Sequence, residues 1–436
     1  MPAKEPADLL IEARWTLPIA PASRPLLGHA LAVHEGTIAA VGPSAQLLER
    51  FEPRERVSRD SHVLMPGFVN AHTHAAMSLL RGLPANKPLM PWLRETIWPA
   101  EERWISPDFV RDGTSLAVAE MLRAGITAFG DMYLFPEEAA RVAAAARIRA
   151  VIGLPVVETA TAWAEDANAY LAKAEKLWDE YQDNPWVSLQ FAPHAPYTVA
   201  DGTLQRIRRV ADELDARIVM HLHECESEVL ESLERHGKRP LRRLDDLGLL
   251  RPGFTGVHMN HLDEEELDLV ARRGVAVVTC PQSNLRLDSG RCPLAELAAR
   301  GVTMGLGTDG PASVGALDIL AESRTAALLN PRQSAAQALH LATLGGAAAL
   351  GLAGRIGSLE PGKAADFICI DLDSLACQPD TAVAESVVHA ATRHQVSDVW
   401  VGGRAAVQSG RLLAFDEREL LSLAKSWAWR IHGTRT

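Results

Sequence analysis

Histidine and acidic residues recur in this sequence directly after short apolar runs, where their side chains could share one metal ion. His72 and His74 come after the run 64–70, and because alternate residues of a strand point to the same side, both imidazoles can face one site. Neutral imidazoles suit Zn²⁺ or Fe²⁺, and a third histidine with one carboxylate would complete a catalytic site that keeps a position for water. A single His-x-His pair is a weak indication of a metal, so the prediction depends on the residues at the ends of the other apolar runs.

Candidate ligands stand at the ends of those other runs too. The full set is His72, His74, Asp131, His194, His221, His223, Glu224, His258, His261 and Asp309. The alternation argument puts His221 and His223 on one face, so either could be the ligand. The same ambiguity holds for His258 and His261, and a histidine that is not a ligand could contact substrate or be a hydrogen-bonded polar residue at the rim.

Eight short apolar runs alternate with longer amphipathic segments, which is the pattern of a parallel sheet with crossover helices. The runs are 64–70, 126–130, 150–156, 187–191, 217–221, 255–258, 275–279 and 302–307. Eight repeats favour a closed (β/α)₈ TIM-like barrel over an open sheet, and active sites of such barrels lie at the C-terminal ends of the strands. The fourth run is followed by Ala192-Pro193-His194, and no lysine stands there to bridge two metals, so we expect one metal.

The two ends of the chain share a hairpin pattern that differs from the middle. Apolar runs at 30–33 and 37–41 flank a Glu-Gly turn. A similar pattern returns late in the chain, where runs at 366–371 and 398–401 are followed by a Gly-Gly turn, the run 405–407 and a Ser-Gly turn. We therefore predict an α/β protein with a small β-sandwich domain built from residues 1–65 and 366–436. Residues 66–365 would form the metal-dependent catalytic barrel.

Composition excludes several classes of protein. Of 436 residues, 47% are hydrophobic and 23% charged, as in globular proteins with a large core. The formal charge is −11 and no long basic run occurs, which argues against nucleic acid or an anionic membrane surface as partner. Five cysteines without a short-spaced pair indicate a reducing compartment, and the charged N-terminus does not resemble a signal peptide, so we expect a cytoplasmic location.

Four linked motifs resemble the amidohydrolase superfamily, in its branch of aminohydrolases acting on purines and triazines. The motifs are 66–74 (PGFVNAHTH), 221–224 (HLHE), 307–310 (GTDG) and 357–366 (GSLEPGKAAD), and the resemblance runs from about Met65 to Asp371. Within this branch the sequence is most similar to deaminases of 5'-methylthioadenosine and S-adenosylhomocysteine. The resemblance implies hydrolytic deamination of these nucleosides or of adenosine, giving the inosine analogue and ammonia.

The resemblance also implies a role for individual residues. One divalent metal, most simply Zn²⁺ with Fe²⁺ or Mn²⁺ as alternatives, would be held by His72, His74, His221 and Asp309. The family's proton-shuttling glutamate lies three residues after the fifth-strand ligand, which selects Glu224 and hence His221 over His223. The implied catalytic residues are then Glu224, His258 and Asp309.

Substrate contacts are implied for Glu101, His194 and Glu224, with Glu101 accepting the ribose hydroxyls. One departure concerns the third-strand region, because residues 153–167 contain none of the arginines that some family members use to contact the nucleoside. The preference among 5'-methylthioadenosine, S-adenosylhomocysteine and adenosine therefore stays open.

Two other functions are alternatives. The same scaffold could serve an aminohydrolase or chlorohydrolase of another heterocycle, such as a guanine-type purine or an s-triazine, for which Glu101 would have no use. A catalytically silent barrel acting as a binding module is the alternative of another class. Similar proteins commonly pair, so a homodimer or higher homo-oligomer is possible, although no residue here indicates an interface.

Overall fold

Two sheets organise the molecule, which we describe from a computed structural model over residues 3–21 and 23–433. One is an eight-stranded parallel sheet from the middle of the chain, and the other is a nine-stranded mixed sheet whose strands come from both ends. The strands in chain order are β1 (Glu5–Thr16), β2 (Leu26–Leu27), β3 (His29–His34), β4 (Thr37–Pro43), β5 (Phe51–Pro66), β6 (Phe68–Thr73), β7 (Ile126–Met132), β8 (Arg149–Val156), β9 (Val187–Pro193), β10 (Ile218–Leu222), β11 (Phe254–His258), β12 (Ala276–Thr279), β13 (Met304–Leu306), β14 (Phe367–Asp371), β15 (Val396–Val401), β16 (Arg404–Gln408) and β17 (Arg411–Leu412).

Helices follow most of the parallel strands and cover the outside of their sheet. All the helices in chain order, including α1, α17 and α18 that follow strands of the terminal sheet, are α1 (Ser44–Arg50), α2 (Leu89–Trp92), α3 (Trp98–Trp104), α4 (Pro107–Arg123), α5 (Pro136–Ala146), α6 (Ala167–Tyr181), α7 (Asp201–Glu213), α8 (Glu226–His236), α9 (Pro240–Asp246), α10 (Glu264–Arg273), α11 (Pro281–Arg286), α12 (Leu294–Ala299), α13 (Pro311–Val314), α14 (Ile319–Leu329), α15 (Ala335–His340), α16 (Gly346–Ala349), α17 (Val383–Glu385) and α18 (Glu417–His432) in the described residues. Short 3₁₀ helices span Ala75–Leu80 and Arg393–Gln395, and π-helical turns span Leu93–Ile97, Leu341–Gly345 and Ser386–Ala390.

The parallel sheet closes into the predicted barrel. Strands β6 to β13 pair in chain order. The barrel closes where the residues just after β13 hydrogen-bond to β6. The N–H of Thr308 donates to Oδ1 of Asn70 at 3.0 Å, and Nδ2 of Asn70 donates to Oγ1 of Thr308 at 2.8 Å. Just beyond, the N–H of Asp309 donates to the carbonyl of His72 at 3.1 Å. The barrel prediction is confirmed, and its C-terminal rim carries the candidate ligands.

The first predicted barrel strand begins later than the sequence indicated. The run 64–70 spans two strands, because 64–66 end β5 of the terminal sheet and β6 of the barrel begins at Phe68. Gly67 makes the crossing, and a Cβ there would lie 2.1 Å from Oγ1 of Thr127. Only glycine fits this close approach.

The terminal sheet combines strands from the two ends in the order β17-β16-β15-β14-β5-β1-β3-β4, with β2 on β1. Leu9 and Ile11 of β1 share one buried cluster with Phe367, Cys369 and Trp400 of β14 and β15, as expected when a sheet folds over into a sandwich. The fold class is thereby confirmed, while the exact domain boundaries at 65/66 and 365/366 stay a prediction.

The C-terminal helix α18 packs against α4 of the barrel domain. Ser106 caps α4, since its Oγ accepts the N–H of Phe109 at 3.2 Å and Pro107 follows at the first helical position. Trp427 of α18 packs edge-on against Phe109, with ring centroids 5.4 Å apart, and its Nε1 donates to Asp112 at 3.0 Å. Over the described ranges, none of the helices combines the length and the apolarity needed to cross a membrane.

Candidate metal centre and active site

Four of the predicted ligands converge at the C-terminal rim of the barrel. The Nε2 atoms of His72 and His221 are 3.2 Å apart, and Nε2 of His74 is 3.2 Å from Oδ1 of Asp309. Donors bound tetrahedrally at the Zn–N distance of about 2.0–2.1 Å would be about 3.3 Å apart. The spacing of these donors, three of them buried and His74 half-buried, therefore fits a zinc-sized cation.

Backbone carbonyls fix the direction in which two of these imidazoles present their nitrogens. Nδ1 of His221 donates to the carbonyl of His194 at 2.9 Å, and Nδ1 of His74 donates to the carbonyl of Met132. A carbonyl only accepts, so in the neutral rings Nε2 carries the lone pair and faces the site. Both rings thus present to the cluster the unprotonated nitrogen that metal ligation requires.

Asp309 is held from two sides. Oγ of Ser283 donates to Oδ2 of Asp309 at 2.6 Å, and the N–H of Gly310 donates to Oδ1 at 2.7 Å. Burial by itself raises the pKa of Asp309, but the adjacent histidines outweigh it and hold the pKa well below its ordinary value. The group is thus a buried carboxylate, which is the form that binds a metal.

Glu224 and His258 lie beside the ligands and face each other. Oε2 of Glu224 is 3.6 Å from Nε2 of His258, and both side chains are buried. One ring nitrogen of His258 and one carboxylate oxygen each of Glu224 and Asp309 lie within 4.8 Å of one another, and a nitrogen of His258 is equally close to nitrogens of His72 and His221. Burial, with the charge of Asp309 second, raises the pKa of Glu224 well above its usual range.

Glu101 reaches the same rim from α3. The hydroxyl of Tyr133 donates to Oε1 of Glu101 at 2.9 Å, and the Tyr133 ring centroid is 6.2 Å from that of His74. Burial raises the pKa of Glu101 to about 7, although the Tyr133 hydroxyl and the charge of His74 act in the opposite direction. The connection between β6 and β7 therefore places a carboxyl group near the predicted ligands.

His194 also lies beside the predicted metal ligands. Its ring centroid is 5.0 Å from that of His221, and its Nδ1 is 3.1 Å from Oγ1 of Thr198. Burial, followed by the charge of His74, lowers the pKa of His194 to about 4. The ring is a neutral hydrogen-bonding group at the rim.

Three other candidates lie outside the donor cluster. His223 is fully buried, donates from Nδ1 to the carbonyl of His261 at 3.0 Å and accepts the N–H of Leu241 at Nε2. His261 is 2.7 Å from the carbonyl of Ser289 through its Nε2. Asp131 accepts the N–H of Ala75 through Oδ1 at 2.7 Å.

Three of the candidate site residues, all at the ends of barrel strands, adopt left-handed backbone conformations. The φ angles are +52° at His223, +73° at His258 and +64° at Asp309. Such angles cost of order 1–3 kcal/mol at a residue other than glycine and persist where surrounding contacts enforce them, often at functional sites. The turn at His223 rotates its side chain away from the face that carries His221.

Sequence reasoning missed the polar residues that hold this site. They are Tyr133, Glu228, Asn260, Ser283 and Asn284, each buried or half-buried and hydrogen-bonded to a predicted site residue. One available signal was position, because the segment 280–284 (CPQSN) directly follows β12 at the same rim as the histidines.

Comparisons with known proteins show the family and the fold of this chain. A model of the amidohydrolase family matches residues 63–406. The chain is 43% identical over 435 residues to 5-methylthioadenosine/S-adenosylhomocysteine deaminase of Teredinibacter turnerae, with 98% of each chain covered. An adenosine deaminase structure from Xanthomonas campestris with bound zinc has a TM-score of 0.98 at 46% identity and covers 99% of this chain and 100% of that one. An atrazine chlorohydrolase structure from Arthrobacter aurescens, with zinc, has a TM-score of 0.90 at 22% identity, covers 96% and 100%, and shares the fold.

Proposed function

This chain belongs to the amidohydrolase family, and from that premise we propose that it is a metal-dependent hydrolytic deaminase of adenosine-type nucleosides. Candidate substrates are 5'-methylthioadenosine, S-adenosylhomocysteine and adenosine, each giving ammonia and the inosine analogue. The observation that carries the proposal is the convergence of three imidazoles and Asp309 beside Glu224 and His258. The deaminase relatives, similar over nearly the whole chain, support it.

We assign His72, His74, His221 and Asp309 to one divalent cation, with Zn²⁺ as the first candidate because zinc is bound in the adenosine deaminase structure. When bound, such a cation lowers the pKa of water towards about 7 and so makes a nucleophile available at neutral pH. The donors present are nitrogen and oxygen atoms, which also accept Fe²⁺ or Mn²⁺.

The reaction exchanges the exocyclic C–N bond of the purine for a C–O bond, with water as the source of the oxygen. We assign to Glu224 the delivery of its proton to the ring nitrogen next to the reacting carbon. Its carboxylate then carries the second proton of the attacking water to the departing amine, and it is reprotonated by the proton that Asp309 has accepted. Asp309 accepts a proton from the attacking water, and His258 orients that water. All three side chains are buried, which excludes competing solvent from the proton transfers.

Nucleoside recognition is assigned to Glu101 and His194. A carboxylate can accept both hydroxyls of a ribose cis-diol, and Tyr133 fixes one oxygen of Glu101 in the free protein. His194 lies beside His221 and is a neutral ring that can hydrogen-bond substrate. A guanine-type or s-triazine substrate lacks ribose, so a role of Glu101 in turnover separates the nucleoside proposal from that alternative.

The direct test is an ammonia-release assay on the zinc-loaded protein with adenosine, 5'-methylthioadenosine, S-adenosylhomocysteine, guanine and melamine, each with and without a chelator. We expect release from the nucleosides alone and its loss with chelator. Release from guanine or melamine alone would favour the heterocycle alternative, and a metal-loaded protein without turnover on any compound would favour the binding module. A cytoplasmic location stays a prediction, which cell fractionation can check. A homodimer also stays a prediction, which light scattering can check.

A further inference from the structure

A chain of buried side-chain amides connects two backbone carbonyls to the imidazole of His258. Nδ2 of Asn260 donates to the carbonyl of Glu224 at 2.9 Å and to that of Ser289 at 3.2 Å. Nδ2 of Asn284 donates to Oδ1 of Asn260 at 2.9 Å, and Oδ1 of Asn284 is 2.8 Å from Nδ1 of His258. The chain therefore runs from the backbone of one site residue to the side chain of another.

The two carbonyls fix the direction of every hydrogen bond in this chain. A carbonyl only accepts, so Asn260 has to present its NH₂ group to Glu224 and Ser289. The reverse orientation would place its oxygen against two carbonyl oxygens. With Oδ1 of Asn260 thus turned to Asn284, that residue has to donate through Nδ2, and its own oxygen faces His258.

We propose that Asn260 and Asn284 are positioning residues that hold His258 as the Nδ1–H tautomer. Nε2 is then the only atom of His258 that exchanges a proton in the reaction, and the neutral ring can accept a proton there but cannot give one. This assignment rests on the proposed function for its role in catalysis, although the tautomer itself can be measured without substrate.

The tautomer of His258 matters because its Nε2 atom faces other groups of the active site. Nε2 of His258 is 3.6 Å from Oε2 of Glu224. A ring nitrogen of His258 lies within 4.8 Å of nitrogens of His72 and His221, and Nδ1 is occupied by Asn284. If the ring were the Nε2–H tautomer, it would turn a donor towards these groups and could neither bind a cation nor accept a proton from water at that atom.

Water cannot take the place of the Asn260 and Asn284 amides, because the hydrogen-bonded chain is buried. His258 is 1%, Asn284 3% and Asn260 8% exposed, so a broken link is not repaired by bulk solvent. Asn284 lies on α11 next to Ser283, whose hydroxyl binds Asp309. One short helix thus supports two site residues through consecutive side chains.

The test is ¹⁵N NMR of the full-length zinc-loaded protein labelled at histidine, with His258→Gln used to identify the His258 signals. We expect a protonated Nδ1 and an unprotonated Nε2 in the unmodified protein. Asn284→Leu removes the acceptor and should shift His258 towards the Nε2–H tautomer, with kcat for 5'-methylthioadenosine lowered about 10- to 100-fold. Asn284→Asp retains an acceptor and should keep the Nδ1–H signature and part of kcat.

Thr279→Val is the matched control, since Oγ1 of Thr279 accepts only a long, weak hydrogen bond of 3.4 Å from Nδ2 of Asn284. It should keep the Nδ1–H signature and kcat. A protonated Nε2 in the unmodified protein, or an unchanged His258 signature in Asn284→Leu, would overturn the proposal. The spectrum of the unmodified protein decides even if a variant does not fold. An Nδ1–H signature with no deamination of any nucleoside would count against the proposed function and support the tautomer.

Discussion

Glu228 fixes the backbone of Glu224. Oε2 of Glu228 accepts the N–H of Glu224 at 2.8 Å, while its Oε1 accepts the N–H of His223 at 2.9 Å. Both N–H groups belong to the left-handed turn in which the chain leaves β10, and the Glu228 carboxylate is 4% exposed. Because one carboxylate binds two consecutive N–H groups, the direction of the Glu224 side chain depends on a residue one helical turn further along.

We expect Glu228→Gln to lower kcat by about 10-fold with little change in the amount of bound metal. The glutamine amide can accept one of the two N–H groups but turns its NH₂ towards the other, which also costs about 1–3 kcal/mol of stability. Steady-state kinetics and urea unfolding measure both effects. Glu226→Gln, an exposed change in the first turn of the same helix, is the control. An unaltered kcat in Glu228→Gln would show that the position of Glu224 does not depend on the Glu228 carboxylate.

The architecture could be predicted because hydrophobic patterning follows burial. All eight barrel strands coincide with apolar runs, and both chain ends form the expected hairpins. The start of the first barrel strand could not be predicted, since residues on both sides of Gly67 are buried although they belong to different sheets. An apolar run cannot indicate which of two adjoining sheets its residues join.

The candidate site was predictable to the extent that strand ends meet at one rim. The spacing of His72 and His74 and the barrel prediction together placed them beside Asp309. Alternation could not separate His221 from His223, because it assumes an extended chain, whereas β10 ends at Leu222 and a left-handed turn comes next. Supporting groups such as the Asn284 amide act across elements distant in sequence, and nothing in their spacing distinguishes them from ordinary loop residues.

Replacing Asp309 by asparagine should abolish stoichiometric metal binding. Its carboxylate lies 3.2 Å from Nε2 of His74 within the donor cluster, and a neutral amide is a much poorer ligand. Asp131→Asn is the matched control, because that carboxylate accepts the N–H of Ala75 and lies outside the cluster. Elemental analysis of dialysed protein measures the metal. Equal loss of zinc from the Asp131 variant would mean that the ligand assignment is wrong.

Replacing Glu101 by alanine should raise KM for 5'-methylthioadenosine and lower kcat/KM by about 10- to 100-fold. The loss corresponds to about 1.5–3 kcal/mol, the usual contribution of hydrogen bonds to a charged group. Glu102→Ala is the control, because Glu102 is exposed on the same helix. Initial rates over a range of substrate concentrations separate KM from kcat. Unchanged kinetics in the Glu101 variant would contradict ribose recognition and with it the nucleoside assignment.

An ion pair inside the terminal sheet joins strands from the two ends of the chain. Nε and Nη2 of Arg59 on β5 each donate to one oxygen of Asp398 on β15, both at 2.8 Å. Ser397 Oγ and the N–H of Ser409 also donate to this fully buried carboxylate. Burial alone raises the pKa of Asp398, but these donors outweigh it and the pKa lies below its ordinary value.

We therefore expect Asp398→Asn to lower the free energy of unfolding at pH 7 by about 3 kcal/mol, because it leaves Arg59 without its charged partner. The lowered pKa means that the carboxylate stabilises the fold fully above the pKa of the unfolded state, about 3.9. That contribution is lost as the pH falls from there through the lower pKa of the folded state. Urea unfolding at pH 7 and at several values below 4 should show the two proteins converging in acid, while the exposed control Asp60→Asn behaves like the unmodified protein throughout. A difference between Asp398→Asn and the unmodified protein that stays constant down to the lowest pH would mean that the charge of Asp398 does not stabilise the sheet.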